Sequence, residues 1–210
     1  MKIVLLIILL FSLISCGGGS STASNIDDNN GLQNNPSITV ENCISTNQVG
    51  LKKCDLLHDN RERFYYIYTP ENLNSNQSIP VLFAFHGYGS SASRHMNYTN
   101  YMQIADENNF VVVYPQGATT PTLSAHWNVG GWTSKSTVKD IEFIETVINL
   151  IQDKIQIDQS RIYSSGMSNG GYMGYHLACN LSEKFAAIAS VTGSMTTNTY
   201  DECDTRHPMP

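Results

Sequence analysis

Ser168 has the neighbours expected of an activated nucleophile. It lies at the centre of Gly166-Met167-Ser168-Asn169-Gly170, a G-x-S-x-G pentapeptide, between the β-like run RIYSS and an apolar helix-like run. In such a strand-turn-helix setting the serine occupies the tip of a sharp turn, and the two glycines let strand and helix pass closely. The pattern predicts a nucleophilic serine, with a structural glycine-rich turn as the alternative.

A serine hydroxyl needs a general base, and the tetrahedral intermediate of acyl transfer needs hydrogen-bond donors for its oxyanion. The backbone N–H of Asn169, at the start of the predicted helix, is one such donor. The loop HGYGSSAS, His86 to Ser93, follows a predicted strand, and the backbone N–H of Tyr88 is its best second donor. We interpret His86 as a strand-end histidine held by local hydrogen bonds, because this loop serves to present N–H groups.

Composition limits the classes of protein to consider. The chain has 210 residues, of which 41% are hydrophobic and 14% charged, as expected for one globular domain with a real core. Its formal net charge is −6 and no basic stripe is present, which argues against nucleic acid as a partner.

The N-terminus has the pattern of an export signal. An unbroken apolar run from Ile3 to Leu13 is too short to span a bilayer but fits a signal-peptide core. The sequence LISC ending at Cys16 resembles a bacterial lipobox, so we expect cleavage before Cys16 and a lipid on that cysteine. The protein would then be exported and anchored to the (outer) membrane, or extracellular. The predicted divisions are a signal peptide at 1–15, a lipid-anchored flexible tether at 16–37 and the folded domain at 38–210.

The folded region alternates between two periodicities. Apolar runs at Val81–Phe85 and Phe110–Tyr114 are typical of strands buried on both faces of a parallel sheet. Isoleucines at steps of three and four predict a long helix within Val138–Asp158. A small-residue strand, Ala186–Val191, follows the helix after Ser168. This order predicts the α/β class, as a three-layer sandwich around a mostly parallel sheet.

Four cysteines remain beyond the lipobox, and they allow three disulfide pairings. We favour Cys43–Cys54 and Cys179–Cys203, since each pair closes a short loop. A metal site is the competing interpretation, but the sequence has no C-x-x-C or paired histidine spacing. We expect neither a metal nor a cofactor.

Several segments together resemble a known family. They are FAFHGYGSSAS, VVVYPQG, WNVGGW, KDIEFIETVINLI and IDQSRIYSSGMSNGGYMGYHLAC. They look like the esterase group that contains polyhydroxybutyrate depolymerases and feruloyl esterases, including LpqC-like lipoproteins. The resemblance covers about Arg63 to Pro210. It implies an α/β-hydrolase fold, a Ser-Asp-His triad and hydrolysis of carboxylic esters, with Ser168 as nucleophile and Tyr88 and Asn169 at the oxyanion positions. The Cys179–Cys203 pairing also follows the family pattern.

The partners of Ser168 do not appear where the family has them. In this fold the acid and then the histidine follow the serine, and only Asn169 to Pro210 lies after it. His176 is two turns down the helix, and Asp204 and His207 are too close in sequence to fill both roles. We therefore expect the chain to be C-terminally truncated, without the last strands and helix and inactive alone.

The segment SAHWNVGGWTSKS carries Trp127 and Trp132 in a loop at the carboxyl end of the predicted sheet, where ligands bind in this architecture. These aromatics could line an acyl or polymer-binding cleft. For Trp127 a core position beneath the loop is an equal alternative. Hydroxybutyrate oligomers, feruloyl-sugar esters and acetylated polysaccharides all suit such a cleft.

Three functions follow from these observations. The first is a lipid-anchored serine esterase acting outside the cytoplasm on an ester substrate that can be polymeric. The second is a serine peptidase of the prolyl-oligopeptidase type, which shares the G-x-S-x-G-G elbow. The third is a lipoprotein that binds a polymer without cleaving it.

Overall fold

The computed structural model describes residues 40–210. The predicted signal peptide, Cys16 and the tether up to residue 37 lie outside the described residues. Within residues 40–210 one seven-stranded sheet is covered by helices on both faces, which confirms the α/β class. The strands are β1 Glu41–Ser45, β2 Leu51–His58, β3 Arg61–Tyr68, β4 Ile79–Phe85, β5 Val111–Pro115, β6 Ile157–Met167 and β7 Ala187–Val191. The helices are α1 Ala92–Thr99, α2 Tyr101–Asn108, α3 Asp140–Gln152, α4 Asn169–Asn180 and α5 Thr197–Asp201.

The sheet joins an antiparallel half to a parallel half, in the order β1-β2-β3-β5-β4-β6-β7. Strands β1, β2, β3 and β5 pair antiparallel, whereas β5, β4, β6 and β7 pair parallel. The carboxyl ends of the four parallel strands therefore meet at one edge. The loop after β4, the long segment after β5 and Ser168 after β6 all start from this edge.

Each face of the sheet has its own core. Along β4, Phe83 and Phe85 point to the face covered by α3 and α4, while Ala84 points to the face covered by α1 and α2. Alternate residues of a strand lie on opposite faces, so an apolar run without polar interruption is buried on both. This is the three-layer sandwich that the sequence predicts.

Four elements were not predicted from the sequence: β1, β2, α1 and α5. Strand β2 reads LKKCDLLH, and its three buried residues, Leu51, Cys54 and Leu56, are separated by exposed or half-buried positions that include Lys52, Lys53 and Asp55. Helix α1 reads ASRHMNYT, and its apolar face consists mainly of Ala92 and Met96. Neither segment has the apolar content that identifies the central strands and α3.

Two disulfides join Cys43 to Cys54 and Cys179 to Cys203, the pairing that short loops favour. Cys43 and Cys54 are direct neighbours across β1 and β2. The second disulfide connects the last turn of α4 to the segment after α5. Disulfides of this kind are typical of proteins outside the reducing cytoplasm. Among residues 40–210 no helix combines the length and apolarity required to cross a membrane.

Candidate active site

Ser168 lies in the turn between β6 and α4 with φ 52° and ψ −121°. A non-glycine residue held at positive φ costs on the order of 1–3 kcal/mol, which the surrounding structure must offset. The backbone N–H of Ser168 donates to the carbonyl oxygen of Val191 at 2.8 Å, at the end of the neighbouring strand β7. The strained serine is thus held from the sheet side, as expected for a nucleophile elbow.

Glycines make the close approach of strand and helix possible. A Cβ on Gly166 would lie 2.2 Å from the carbonyl oxygen of Gly170, and a Cβ on Gly170 would lie 2.1 Å from the carbonyl oxygen of Phe85. A Cβ on Gly171 would lie 2.5 Å from the Ser190 hydroxyl. Backbone therefore packs on backbone around Ser168, and the glycines of the pentapeptide are required by this geometry.

The loop after β4 lies directly against Ser168. A Cβ on Gly87 would be 3.5 Å from the Cβ of Ser168. The Gly89 N–H donates to the Ala125 carbonyl at 2.8 Å, and the Trp127 indole N–H donates to the His86 carbonyl at 2.9 Å. Within residues 40–210 the backbone N–H groups of Tyr88 and Asn169 donate no hydrogen bond. Unpaired backbone N–H groups are what an oxyanion hole requires.

His86 shapes this loop in its neutral form. Its Nε2 accepts the Gly117 N–H at 2.9 Å, so Nδ1 carries the proton and donates to the Gly87 carbonyl at 2.8 Å. The residue is fully buried, and burial lowers the pKa of His86 below its ordinary value. The structural role inferred from the sequence agrees with these contacts.

The lowered pKa of His86 predicts a stability that falls in mild acid. Unfolded His86 binds a proton near pH 6.5 and the folded form only at lower pH, so the unfolded state holds more protons in between. The free energy of unfolding should therefore decrease as the pH falls below about 6.5. Urea titrations between pH 7.5 and 4.5 measure this, and His86→Gln should flatten the decline. His207→Gln must not flatten it, because hydrogen bonds raise the pKa of the exposed His207 instead; equal slopes in His86→Gln and the parent would contradict the prediction.

Trp127 is a core residue and not a substrate contact, the other role considered for it. It is fully buried, and its ring meets Phe85 edge to face with 5.1 Å between centroids. The Asn169 side chain accepts the Trp127 backbone N–H at 2.7 Å and donates to its carbonyl at 3.0 Å. Because no surface of Trp127 is accessible, its assignment as a substrate contact is corrected: it ties the long loop between β5 and α3, residues 116–139, to the residue that follows Ser168.

A buried ion pair anchors the other end of the same loop. Arg63 of β3 donates to Asp140 Oδ1 at 2.7 Å, and both side chains are almost fully buried. The other oxygen, Oδ2 of Asp140, accepts the Asn128 N–H at 2.8 Å. The Arg63 guanidinium also lies 3.9 Å from the centre of the Phe143 ring. The pair was not predicted from the sequence, although an arginine directly before the apolar run Phe64–Tyr68 is a signal that could have suggested it.

Trp132 is exposed and lies among aromatic rings near Ser168. Its ring centroid is 5.3 Å from that of Tyr88 and 6.5 Å from that of Tyr172, both in edge-to-face geometry. Trp132 is 49% exposed and Tyr88 43% exposed. This position agrees with the proposed substrate contact, and Tyr172, one turn along α4, is an addition that the sequence did not suggest.

The six histidines of the chain all lie within residues 40–210, and none hydrogen-bonds to Ser168 there. His176 Nδ1 pairs with the Thr199 hydroxyl at 3.0 Å, and burial lowers the pKa of His176. His207 pairs with the Ser182 carbonyl at 2.6 Å, beyond the C-terminal end of α4. That end is about 18 Å from Ser168 at 1.5 Å per residue. Among residues 40–210, no histidine is therefore in contact with Ser168 as a base.

The sequence model of the prolyl oligopeptidase family matches residues 96–208, more than half of the chain and the whole of the elbow. The chain belongs to the prolyl oligopeptidase family. The match agrees with the α/β-hydrolase fold and with the G-x-S-x-G elbow around Ser168.

Several known proteins whose sequences match this chain are named as esterases. Feruloyl esterase B of Thermothelomyces thermophilus is 34% identical over 130 residues, 61% of this chain and 43% of that protein. A bifunctional acetylxylan esterase/xylanase of Neocallimastix patriciarum is 30% identical over 148 residues, 70% of this chain and 20% of that protein. The chain thus spans less than half of the length of either relative. The resemblance to the feruloyl esterase group is confirmed.

Solved structures show the same fold. An S-formylglutathione hydrolase from Agrobacterium tumefaciens aligns with a TM-score of 0.60 at 19% identity, over 72% of this chain and 62% of that one. At this identity the likeness concerns the fold alone. It confirms the α/β-hydrolase architecture of this family member.

Proposed function

We propose that the protein is a serine esterase that hydrolyses carboxylic ester bonds through an acyl-enzyme on Ser168. The observation that carries this proposal is the elbow itself, with Ser168 at positive φ beside two backbone N–H groups that are free of partners within residues 40–210. The esterase names of the curated relatives support it.

The chemistry follows from these groups. The Ser168 oxygen attacks the ester carbonyl carbon and loses its proton to a base, while the carbonyl oxygen becomes an oxyanion that accepts from Tyr88 and Asn169 N–H. Collapse of the tetrahedral intermediate breaks the bond to the alcohol, which leaves with a proton. Water then attacks the acyl-enzyme by the same route, releasing the acid and restoring the serine hydroxyl.

The substrate class is an ester attached to a larger molecule, and the location is outside the cytoplasm. Feruloyl-sugar esters and acetylated polysaccharides are the candidates that the relatives' names support, and hydroxybutyrate polymers are the candidate from the sequence resemblance. The two disulfides and the lipobox at Cys16 support export, with a lipid on Cys16 as the anchor.

We further propose that the base and acid partners of Ser168 are not among these 210 residues. The 210-residue chain should then hydrolyse p-nitrophenyl acetate no faster than its Ser168→Ala variant, because a serine without a base keeps only the oxyanion hole and binding. Serine-dependent turnover in plain buffer would contradict this part of the proposal.

The same assay tests the nucleophile when imidazole is added as an external base. We expect imidazole to raise the rate of the parent chain above that of Ser168→Ala at equal imidazole concentration. The variant is the matched control, since imidazole itself cleaves p-nitrophenyl acetate in solution. Identical imidazole-dependent rates in the two proteins would remove Ser168 as the nucleophile.

A peptidase is the second candidate, because the matching family is named for one. Ester and amide substrates with the same acyl group separate the two under the imidazole conditions. Ser168-dependent release of p-nitroaniline from the peptide, absent in Ser168→Ala, would favour the peptidase, whereas Ser168-dependent cleavage of the ester alone would favour the esterase.

A further inference from the structure

A cavity beside strand β3 opens at the same edge of the sheet as Ser168. Its volume is about 580 Å³, and its walls are residues 61–64 of β3 and residues 116–119 after β5. Strand β3 pairs with β5 from Tyr65 onward, opposite Pro115, so residues 61–64 extend beyond the carboxyl end of β5. We call this cavity the β3 cleft. Its volume is in the range of cavities that hold small ligands.

The wall of the β3 cleft that follows β5 is fixed by Gln116. The backbone N–H of Gln116 donates to the Phe64 carbonyl at 3.0 Å, and its carbonyl accepts from Arg63 at 3.2 Å. Its side-chain oxygen accepts the Ala92 N–H at 2.9 Å, and its side-chain nitrogen donates to the Gly117 carbonyl at 3.0 Å. Four hydrogen bonds hold this wall in place, so the cleft is a preformed feature of the fold.

The accessible side chains of the β3 cleft offer donors and acceptors whose charges cancel. Arg61 is half-buried, and its guanidinium makes one hydrogen bond within residues 40–210, at 3.4 Å to the Thr137 hydroxyl. The Glu62 carboxylate is exposed and forms no salt bridge in that range. Thr119 adds an exposed hydroxyl. One cation and one anion beside a hydroxyl suit a neutral ligand with several hydroxyl groups.

Phe64 supplies an aromatic ring to the β3 wall of the cleft. The ring is half-buried, with the Lys53 ammonium 4.5 Å from its centre and the Tyr66 ring edge to face at 5.9 Å between centroids. These neighbours leave part of the ring as apolar surface in an otherwise polar cleft. A sugar ring matches this combination, because its C–H groups pack on aromatic surface while its hydroxyl groups reach polar side chains.

The sheet order fixes the distance between the β3 cleft and the nucleophile. Strand β6 ends next to Ser168, and β4 and β5 lie between β6 and β3. Adjacent strands are about 4.8 Å apart, so three steps cover about 14 Å, about the length of three sugar residues in an extended chain. A polymer whose ester lies at Ser168 can therefore reach the cleft along the carboxyl edge of the sheet.

We propose that the β3 cleft binds the sugar backbone of a neutral polysaccharide, about three residues away from the ester that Ser168 attacks. The cleft then contacts the alcohol side of the substrate and takes no part in recognition of the acyl group. This inference rests on the proposed esterase function. Among the candidate substrates it selects polysaccharide esters over hydroxybutyrate polymers.

The test measures binding to the Ser168→Ala chain, so it does not depend on turnover. Xylohexaose and the anionic hexamer of galacturonic acid are titrated separately, and the backbone amide signals are followed by ¹H–¹⁵N NMR. We expect xylohexaose to shift the signals of residues 61–64 and 116–119, and the anionic hexamer to bind more weakly. Absence of shifts in these residues with xylohexaose, or tighter binding of the anionic hexamer, would overturn the proposal.

Variants in the same background give the magnitude. Arg61→Ala should weaken xylohexaose binding about fivefold, because hydrogen bonds from the guanidinium are lost. Phe64→Leu should have a similar effect, whereas Phe64→Tyr keeps the ring and should stay within about twofold. Arg94→Ala is the matched control, since Arg94 is an exposed arginine of α1 that is not part of the cleft wall. Equal binding in Arg61→Ala and Arg94→Ala would contradict a specific site.

The outcomes separate this inference from the proposed function. Arg61-dependent binding of xylohexaose without any Ser168-dependent cleavage in imidazole would retain the cleft and remove the esterase. If Ser168 does cleave esters, Arg61→Ala should slow the cleavage of acetylated xylohexaose about fivefold more than that of p-nitrophenyl acetate. Equal slowing of the two esters, with no Arg61-dependent binding, would retain the esterase and overturn the cleft.

Discussion

Replacing Gly170 with alanine is expected to destabilise the protein by about 3 kcal/mol, because the new Cβ would overlap a buried carbonyl. That Cβ would lie 2.1 Å from the oxygen of Phe85 and 2.8 Å from the oxygen of His86. Phe85 ends the central strand β4, which is paired on both sides, so its backbone cannot move without disturbing the sheet. Urea unfolding of Gly170→Ala and the parent measures the loss.

Gly174→Ala is the matched control for this substitution. Gly174 lies on the same helix, one turn further along, and a Cβ there would be 3.4 Å from the Ser164 hydroxyl, close to ordinary contact. Alanine is favoured over glycine within a helix by up to about 1 kcal/mol. We expect Gly174→Ala to be neutral or stabilising, and equal losses at the two positions would contradict the close approach at Gly170.

Replacing Asp140 with alanine is expected to cost about 3–5 kcal/mol, the range found when one partner of a buried ion pair is removed. The change leaves the Arg63 guanidinium as an unpaired buried charge and removes the acceptor of the Asn128 N–H. Two anchors of the long loop are lost together. Urea unfolding measures the effect, and the Trp132 indole signal should broaden or move as the loop loosens.

Two controls make this prediction specific. Lys139→Ala removes the neighbouring exposed pair with Asp59 and should cost less than about 1 kcal/mol, as surface pairs do. The double change Arg63→Met with Asp140→Leu removes both charges and should recover much of the stability lost in Asp140→Ala, since apolar replacements of buried pairs are often neutral. A double variant no more stable than Asp140→Ala would show that the Asn128 contact, and not the unpaired charge, dominates.

The centre of the fold was predictable because its sequence signals are local. Strands buried on both faces, such as β4 and β5, must be apolar throughout, and α3 must repeat its isoleucines at helical spacing. The turn at Ser168 needs glycines at fixed offsets, so it too can be recognised in the sequence. Strands β1 and β2 were missed because polar and charged residues outnumber their buried apolar residues, so neither strand shows a continuous apolar run or a strict alternation.

The differences within the long loop could not be predicted. Trp127 and Trp132 are the same residue type five positions apart, yet one is fully buried and the other half exposed. Their tertiary contacts differ. Trp127 is hydrogen-bonded to the side chain of Asn169 and to the carbonyl of His86, whereas Trp132 packs against exposed rings. The Arg63–Asp140 pair likewise joins residues 77 positions apart, and neither residue indicates the other.

The two hydrogen bonds between the Asn169 side chain and the Trp127 backbone have a consequence for protein engineering. The loop that carries Trp132 cannot be exchanged on its own, because its main chain is hydrogen-bonded to Asn169, whose own N–H we propose as an oxyanion donor. A loop grafted from a relative to change the acceptable acyl group would have to offer a donor and an acceptor at the same spacing. Without them, the graft would change the acyl specificity and would also displace the Asn169 N–H. Position 169 should therefore be varied together with this loop in any mutant library.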